Sequence, residues 1–217
     1  IEDERDSNLA RQHPADYLAG FVESVAAVVA QTRDAGHDPS SIVGIGIDTT
    51  GSTPIPVDAD GVPLAMHATF HAEPAALACL WKDHTAHAEA AEITETAARL
   101  GRPYLARCGG TYSSEWYWSK VLRCRRVAPA VFDAAHSWLE LADFVPVQIT
   151  GSWRGGRTTR GICAAGHKAM YDPAWNGAPD RAFLEALDPA LGRLRATFDG
   201  PVRPSDHPAG SLAPAYA

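Results

Sequence analysis

Histidine and cysteine are the side chains of this 217-residue sequence that could form a metal centre. His67 and His71 are four positions apart, His84 and His87 are three apart, and Cys79 lies between the two pairs. Such spacing brings two imidazoles together when both lie on one helix. His67, however, follows a segment that we predict to be a strand. We therefore interpret these histidines as surface residues and keep a metal site as the weaker alternative.

Glycine-rich phosphate loops or a nucleophilic serine would indicate nucleotide binding or hydrolysis. Gly44 and Gly46 form a G-x-G pair, but neither the third glycine nor the helix of a dinucleotide-binding fingerprint follows them. The sequence contains no G-x-x-x-x-G-K-[ST] motif and no G-x-S-x-G motif. These patterns disfavour a Rossmann or Walker nucleotide site and serine hydrolase chemistry in this chain.

The remaining candidates are polar and aromatic residues in four segments at the ends of predicted elements. The segments are 48–52, 80–84, 113–118 and 164–168. Taken singly, each has an ordinary structural interpretation, since tryptophans are mostly core residues and lysines are mostly solvated. The three lysines of the chain are Lys82 and Lys168, within these segments, and Lys120, two residues after the third one. No single segment therefore assigns a function.

The elements that must position these segments begin with an amphipathic helix over residues 14–34. Tyr17, Phe21 and Val25 recur along it at helical spacing. Its first residue is a proline, which suits a first helical turn, and Gly36 suits a left-handed cap after its end. The pattern predicts a helix with both ends marked.

A buried strand is predicted next, over residues 42–47, because this β-branched run leaves little polar surface. Asp48-Thr-Thr-Gly-Ser-Thr53 follows it directly. A helix that feeds a buried strand is typical of an α/β fold, in which ligands bind beyond the carboxyl ends of the strands. The turn at residues 48–53 is therefore the first place to look for function.

The rest of the chain alternates short predicted elements. We expect a proline-bearing hairpin of edge strands at 54–57 and 62–66, and two helices within 73–100 that are broken near Thr85. We also expect a helix capped by Ser113 or Ser114, a helix at 141–149, an exposed loop or hairpin at 152–160 and a helix at 180–187. The proline-rich stretch 200–217 is predicted to be a connector.

Composition excludes several classes of protein. The 19 lysines and arginines against 26 aspartates and glutamates give a net charge of −7, which argues against nucleic acid as a partner. The apolar runs are too short for a membrane span. Four scattered cysteines and no visible signal peptide favour a reducing cytoplasm, although the sequence begins at Ile1 rather than at a methionine. We expect a cytoplasmic globular chain that is a piece of a longer protein.

Read together and in order, five motifs resemble the N-terminal domain of the FGGY family of carbohydrate kinases. The motifs are Val43-Gly-Ile-Gly-Ile-Asp-Thr-Thr-Gly-Ser-Thr-Pro54, Leu80-Trp-Lys-Asp-His-Thr-Ala86, Gly109-Gly-Thr-Tyr-Ser-Ser-Glu-Trp-Tyr-Trp-Ser-Lys120, Ser137-Trp-Leu-Glu-Leu-Ala-Asp143 and Arg160-Gly-Ile-Cys-Ala-Ala-Gly-His-Lys-Ala-Met170. Five long motifs in the right order are far more specific than one short pattern. The resemblance runs from about His13 to the end of the chain.

The resemblance implies an α/β fold of the actin-like, ribonuclease H-like ATPase type. Family members have two such domains, with sugar bound against the N-terminal domain and with ATP and Mg²⁺ held mainly by the C-terminal domain. Residues 1–199 would be the sugar-binding domain, incomplete at its N-terminus, and residues 200–217 a connector. The family's early phosphate motif is expected before Ile1, and its catalytic aspartate in the C-terminal half. The resemblance therefore gives no catalytic residue within this chain.

The same resemblance implies a set of sugar-binding residues. Gly51 corresponds to a loop that approaches the sugar closely, where a small residue is useful. Trp81 corresponds to an apolar wall beside the carbon chain, and Lys168 to an ammonium that donates to sugar oxygens. Weaker candidates near the same cleft are Lys82, Asp83 and Glu115. We expect Trp116 and Trp118 to belong to the core.

The activity implied by the resemblance is transfer of the γ-phosphoryl group of MgATP to a terminal hydroxyl of a ketopentose. Positioning and charge neutralisation do most of the work in such reactions. Two alternatives stay open, namely a kinase for another sugar or polyol and a non-catalytic sugar-binding module. A homo-oligomer is a further expectation. If the opening strands of the family lie outside this chain, the strand at 42–47 would leave an exposed sheet edge.

Overall fold

The computed structural model describes residues 2–3 and 6–217, which form a mixed arrangement of helices and short strands. The helices are α1 (Pro14–Asp34), α2 (His87–Arg99), α3 (Tyr117–Val127), α4 (Pro129–Ala134), α5 (Leu141–Thr150) and α6 (Arg181–Leu187). The strands are β1 (Glu2–Asp3), β2 (Asp6–Gln12), β3 (Pro54–Val57), β4 (Ala78–Cys79), β5 (Ser137–Glu140), β6 (Arg160–Gly161) and β7 (Val202–Arg203).

The strands pair in three small sheets. Strand β2 lies between β1 and β4 and is antiparallel to both, with Arg11 opposite Cys79. Strands β3 and β5 are antiparallel along their whole length, from the pair of Pro54 and Glu140 to the pair of Val57 and Ser137. Strands β6 and β7 are parallel. The β3–β5 pair ends at Glu140, opposite Pro54.

Two hydrophobic cores hold these elements together. The larger core packs α2, α3, α4 and α6 around fully buried aromatic rings, among them Trp118, Phe132 and Phe183. The smaller core joins β3, β5 and α5 around Ile55, Leu139 and Phe144. Every residue of β3 and β5 is buried. The two cores meet along β5, since its alternate residues point to different cores.

Helix α1 confirms the predicted bounds and the predicted caps. The His13 ring accepts a hydrogen bond from the backbone N–H of Ala15, at 3.2 Å. After the last turn, Gly36 adopts a φ of +78°, and the N–H of His37 donates to the carbonyl of Thr32 at 3.0 Å. This is the left-handed helix ending for which glycine is favoured. Local sequence was therefore sufficient to define this helix.

Residues 42–47 do not form the predicted buried strand. They are irregular, and Val43 is fully exposed while Ile42 and Ile45 are 44% and 42% exposed. A strand needs a neighbour to accept and donate its backbone hydrogen bonds, and among the described residues this segment has no strand pairing. The segment is apolar, but the prediction that it forms a buried strand was wrong. Because no strand forms at 42–47, the exposed sheet edge predicted there is absent.

Two further predictions fail because short 3₁₀ turns replace a predicted strand and a predicted helix. The second arm of the predicted hairpin is a 3₁₀ turn, Leu64–Met66, and only a single bridge joins Val57 to Pro63. The first of the two predicted helices within 73–100 is a 3₁₀ turn, Pro74–Ala76, followed by β4. Alanine content favoured a helix there, but pairing of β4 with β2 prevailed.

The other predicted helices are present, with one corrected cap. Helix α5 ends at Gly151 in a left-handed conformation, and Asp180 caps α6 by accepting from the N–H of Phe183 at 2.8 Å. Helix α3 begins after Trp116 without a side-chain cap. Ser113 instead accepts from the N–H of Glu115 at 3.2 Å, which shapes the turn before the helix.

Residues 152–160 and the end of the chain pack and pair with the rest of the protein more than their composition suggests. Arg154 and Arg157 form a bridge, as expected for a hairpin, but Arg160 at its end is buried. Val202–Arg203 forms strand β7, and Leu212 and Tyr216 pack on the smaller core. The division into a domain of 1–199 and a connector of 200–217 stays a prediction. Within the described residues, no helix combines the length and apolarity that a membrane crossing requires.

The two helix glycines of opposite conformation give a test of the fold. Gly151→Ala would place a side chain at a φ of +60°, so we expect it to lower the free energy of unfolding by about 1 kcal/mol. Gly20→Ala is the matched control, because Gly20 lies in the interior of α1 with no atom within 4 Å of the added Cβ. It should raise stability by about 0.5–1 kcal/mol. Chemical denaturation measures both, and equal signs would contradict the structure.

Candidate functional site

The turn Ala164–Lys168 presents Lys168 to the rest of the site. Three donors from the larger core hold the backbone of this turn and of the next residue. The Tyr112 hydroxyl donates to the carbonyl of Lys168, the Cys108 thiol to that of His167 at 3.2 Å, and the Trp118 indole to that of Ala169 at 2.9 Å. A turn fixed at three successive carbonyls has little freedom, so the Lys168 side chain leaves it in a defined direction.

The ammonium of Lys168 rests against Gly51. A Cβ atom placed on Gly51 would lie 2.5 Å from Lys168 Nζ, which is closer than van der Waals contact allows. Gly51 therefore leaves the space that the ammonium occupies, and this is one of the close approaches for which glycine is suited. The structure thus brings together two predicted sugar-binding residues that are 117 positions apart, since 168 − 51 = 117.

Glu140 anchors the residues that follow Gly51. Its carboxylate accepts from the Ser52 hydroxyl and from the N–H of Thr53, the latter at 2.7 Å. Burial raises the pKa of Glu140, while these two hydrogen bonds and the charges of Lys120 and Lys168 act to lower it. A buried carboxylate between two ammonium groups links the turn at residues 51–53 electrostatically to both lysines.

Lys120 corrects the expectation that it would be a solvated surface lysine. It is 4% exposed, and its ammonium donates to three backbone carbonyls, those of Ser52 and Leu80 at 2.7 Å and that of Cys79 at 3.4 Å. Burial lowers its pKa. The side chain lies between the turn that carries Gly51 and the loop that carries Trp81.

Trp81 and Lys82 lie at the surface of this region. Trp81 is 45% exposed, which is unusual for a tryptophan in a chain whose Trp118 and Trp138 are buried. Lys82 is also exposed and has an interaction of its own with the rest of the chain. An exposed indole next to a buried anchor is free to present its flat face to a ligand.

Asp83 is placed differently from its neighbours. It is fully buried, and its two oxygens accept from the backbone N–H groups of Ala10 and Thr85, at 2.8 and 3.1 Å. They also accept from the Thr85 hydroxyl at 2.6 Å and from the Arg11 guanidinium. Four donors occupy the acceptor sites of a carboxylate. The structure thus gives Asp83 a positioning role between β2 and the Trp81 loop, with its oxygens already engaged by donors of the protein.

Glu115 and Trp116 lie at the start of α3. The Glu115 carboxylate is 3.7 Å from His84 Nδ1, with a side chain that is 39% exposed. The Trp116 ring is half-buried and makes edge-to-face contacts with Tyr112 and His167, with ring centres 5.3 and 5.4 Å apart. Trp118 is in the core as expected. Glu115 therefore remains available to a ligand, while Trp116 supports the turn next to Lys168.

Lys120 and Glu140 are the residues of this region that the sequence reasoning missed as site residues. One signal for Lys120 was present. The chain uses 16 arginines and only three lysines, and all three lysines fall in the motif segments. A chain that uses arginine elsewhere but lysine at these positions indicates a need for compact ammonium groups there. Glu140 carried no comparable signal, because nothing local indicates that a glutamate at a strand end is buried.

Metal-ligating side chains do not cluster in the described part of the chain. Within residues 2–3 and 6–217, no three histidine, cysteine or carboxylate side chains come together in a way that could hold a metal ion. The predicted histidine pairs are engaged separately. His67 Nε2 lies 2.9 Å from an Asp58 oxygen, and His71 Nδ1 lies 2.7 Å from the carbonyl of Ala68. The described residues thus contain no ready-made cluster of metal ligands.

Comparison with known proteins adds a family context to this geometry. No family model matches the chain. The chain is 42% identical to the ribulokinase of Vibrio parahaemolyticus over 209 residues, which cover 95% of this chain and 36% of the relative. It is 37% identical to the ribulokinase of Geobacillus thermodenitrificans, with coverage of 94% and 35%. The chain thus spans just over a third of the length of these curated relatives.

Several solved structures of sugar kinases share this fold. The xyloylose kinase of Brucella ovis superposes with a TM-score of 0.73 at 16% identity, over 99% of this chain and 39% of that one. The gluconate kinase of Lactobacillus acidophilus gives a TM-score of 0.66 at 14% identity, over 100% and 38%. These likenesses confirm the predicted fold class, an α/β chain with the actin-like fold of FGGY sugar kinases. The chain is thus similar in sequence to ribulokinases along nearly its whole length, and similar in fold to other sugar kinases.

Asp83 and Glu115 should differ in a stability test. Asp83→Ala removes a fully buried carboxylate that accepts four hydrogen bonds, one of them from Arg11, so we expect it to lower the free energy of unfolding by about 3–5 kcal/mol. Glu115→Ala removes a half-exposed side chain and should change stability by less than about 1 kcal/mol. Urea denaturation of both variants measures the difference. An Asp83→Ala variant as stable as the parent chain would contradict the positioning role of Asp83.

Proposed function

We propose that this chain is the sugar-binding part of a ribulokinase, within the N-terminal domain. The complete enzyme would transfer the γ-phosphoryl group of ATP to a terminal hydroxyl of L-ribulose and give L-ribulose 5-phosphate, a step of L-arabinose catabolism. Curated ribulokinases at 37–42% identity over more than nine tenths of the chain support this proposal. The observation that carries it is the ammonium of Lys168 lying against Gly51.

In this proposal the chain positions the sugar. Lys168 offers three N–H donors to hydroxyl or keto oxygens. Gly51 lets the polyol approach the backbone, and the exposed indole of Trp81 covers the carbon chain. Lys82 and Glu115 flank this surface and would contact outer hydroxyls. The substrate would be held at its polar and apolar faces at once, which fixes the hydroxyl that reacts.

ATP and Mg²⁺ complete the proposal as the phosphoryl donor and its counterion. We assign them to parts of the protein outside this chain, because the described residues contain no ready-made cluster of metal ligands. Bound Mg²⁺ would neutralise charge on the phosphates during transfer. Closure over the sugar would exclude water, so that ATP is not simply hydrolysed. We further propose a cytoplasmic enzyme, with a homo-oligomer as its possible assembly.

A second candidate substrate comes from the structural neighbours. Their names include xylulose and gluconate kinases, so a kinase for another sugar or polyol would use the same fold. A coupled assay of ADP release discriminates between the two. The complete gene product containing this chain is given MgATP with L-ribulose, xylulose, ribitol, glycerol or gluconate. Highest kcat/KM on L-ribulose supports the proposal, and highest kcat/KM on another compound replaces the substrate.

Lys168 should carry much of the sugar affinity. We expect Lys168→Ala to lower kcat/KM for the sugar by about 10- to 100-fold, because charge-assisted hydrogen bonds are lost. The control is Arg181→Ala, which removes a cation that is 72% exposed and lies in α6, away from the site. Steady-state ADP release measures both variants. Unchanged kcat/KM in Lys168→Ala would keep the enzyme and discard this site.

Gly51 should be sensitive to a single methyl group. Gly51→Ala places its Cβ where the Lys168 ammonium lies, and that ammonium is the end of a flexible side chain that can move. We therefore expect normal folding but a KM for the sugar that is raised about tenfold, a loss of roughly 1.4 kcal/mol in binding. Thermal unfolding and sugar titration of the kinetics measure the two effects. A KM equal to that of the parent would contradict the close contact.

A further inference from the structure

The position of Lys120 extends the argument beyond direct sugar contacts. Its side chain projects from α3, in the larger core, and reaches two separate loops. Its ammonium donates to Ser52 in one loop, to Cys79 at the end of β4 and to Leu80 in the loop that follows β4, at 2.7, 3.4 and 2.7 Å. Three backbone acceptors match the three N–H donors of an ammonium group. A buried charge is therefore satisfied by main-chain carbonyls of both loops at once.

Each of these loops carries a residue of the proposed sugar site next to the anchored carbonyl. Gly51 immediately precedes Ser52, and Trp81 immediately follows Leu80. The carbonyls of Ser52 and Leu80 are both within hydrogen-bonding distance of one nitrogen atom. The separation between the Gly51 turn and the Trp81 loop is thus fixed by the length of two hydrogen bonds.

The loop at Ser52 is also held from its other side. Glu140 accepts from the Ser52 hydroxyl and from the N–H of Thr53. Lys120 therefore donates to the carbonyl of Ser52, while Glu140 accepts from the hydroxyl of the same residue. A lysine suits this position better than an arginine, because its donors spread from a single point rather than across a planar fork. The same chain places arginine at 16 other positions.

We infer that Lys120 is a positioning residue for sugar binding, which holds the Gly51 turn and the Trp81 loop at the spacing that the sugar requires. It would act through these two loops and not by touching the sugar. This inference rests on the proposed function, because the sugar is the ligand whose binding it explains.

The test replaces Lys120 in the complete gene product with a side chain of similar length and no donors. We expect Lys120→Met to raise the KM for the sugar by tenfold or more and to leave the KM for ATP within twofold of the parent value. Lys120→Gln keeps two N–H donors and should give an intermediate KM. Arg126→Met is the matched control, since Arg126 lies on the same helix and pairs with Glu92 instead. Its KM for the sugar should not change.

A purely structural role would give a different result. In that case Lys120→Met and Lys120→Gln would unfold at lower temperature, but their folded fraction would keep the parent KM for the sugar, and the inference would be overturned. A wild-type protein that phosphorylates none of the sugars tested would instead overturn the proposed function. An active wild type with unaffected Lys120 variants overturns the inference alone.

Hydrogen exchange on the wild-type protein covers the case in which neither variant folds. If Lys120 couples the loops, saturating sugar should slow amide exchange in peptides spanning 51–53 and 80–83 together. Protection of one segment without the other would show that the loops respond independently and would overturn the inference.

Discussion

The cost of removing charge from water is the constraint on which this structure depends. The interior contains several charged side chains that are less than 5% exposed, among them Asp83, Lys120, Glu140, Asp143 and Arg160. A buried charge is tolerated only when hydrogen bonds or an opposite charge compensate it. Arg160, for example, donates to the Ser137 hydroxyl and the Trp138 carbonyl and lies 4.0 Å from the Phe198 ring centre. Each such group therefore joins segments that are distant in sequence.

These buried charges explain where the proposed site lies. Lys120 comes from a helix of the larger core, and Glu140 comes from the strand that ends the smaller core. Lys168 comes from a turn held by the larger core, and all three converge on residues 51–53. Hydrophobic packing stabilises each core but is not directional. The polar groups between the cores form directional hydrogen bonds, and these fix the orientation of the loops that would bind a polyol.

The same distinction separates what the sequence predicted from what it did not. Helix α1 was predicted to the residue because its periodicity and its caps are local. The strand at 42–47 was predicted from an equally clear pattern and is absent, because a strand depends on a partner supplied elsewhere. The burial of Lys120 was misjudged for a related reason. The acceptors of Lys120 lie 68, 41 and 40 positions away, so no local pattern indicates that this charge is buried.

The scarcity of lysine has a practical consequence for chemical probing. With three lysines in 217 residues, a reagent selective for primary amines has few side chains to modify. Lys82 is exposed and Lys168 is partly exposed, whereas Lys120 is enclosed. Mass spectrometry of labelled protein would thus report on ligand binding at Lys168 and on solvent access at Lys82. Labelling of Lys120 would report on opening of the interior. The chain carries its own set of reporters, each at a different depth.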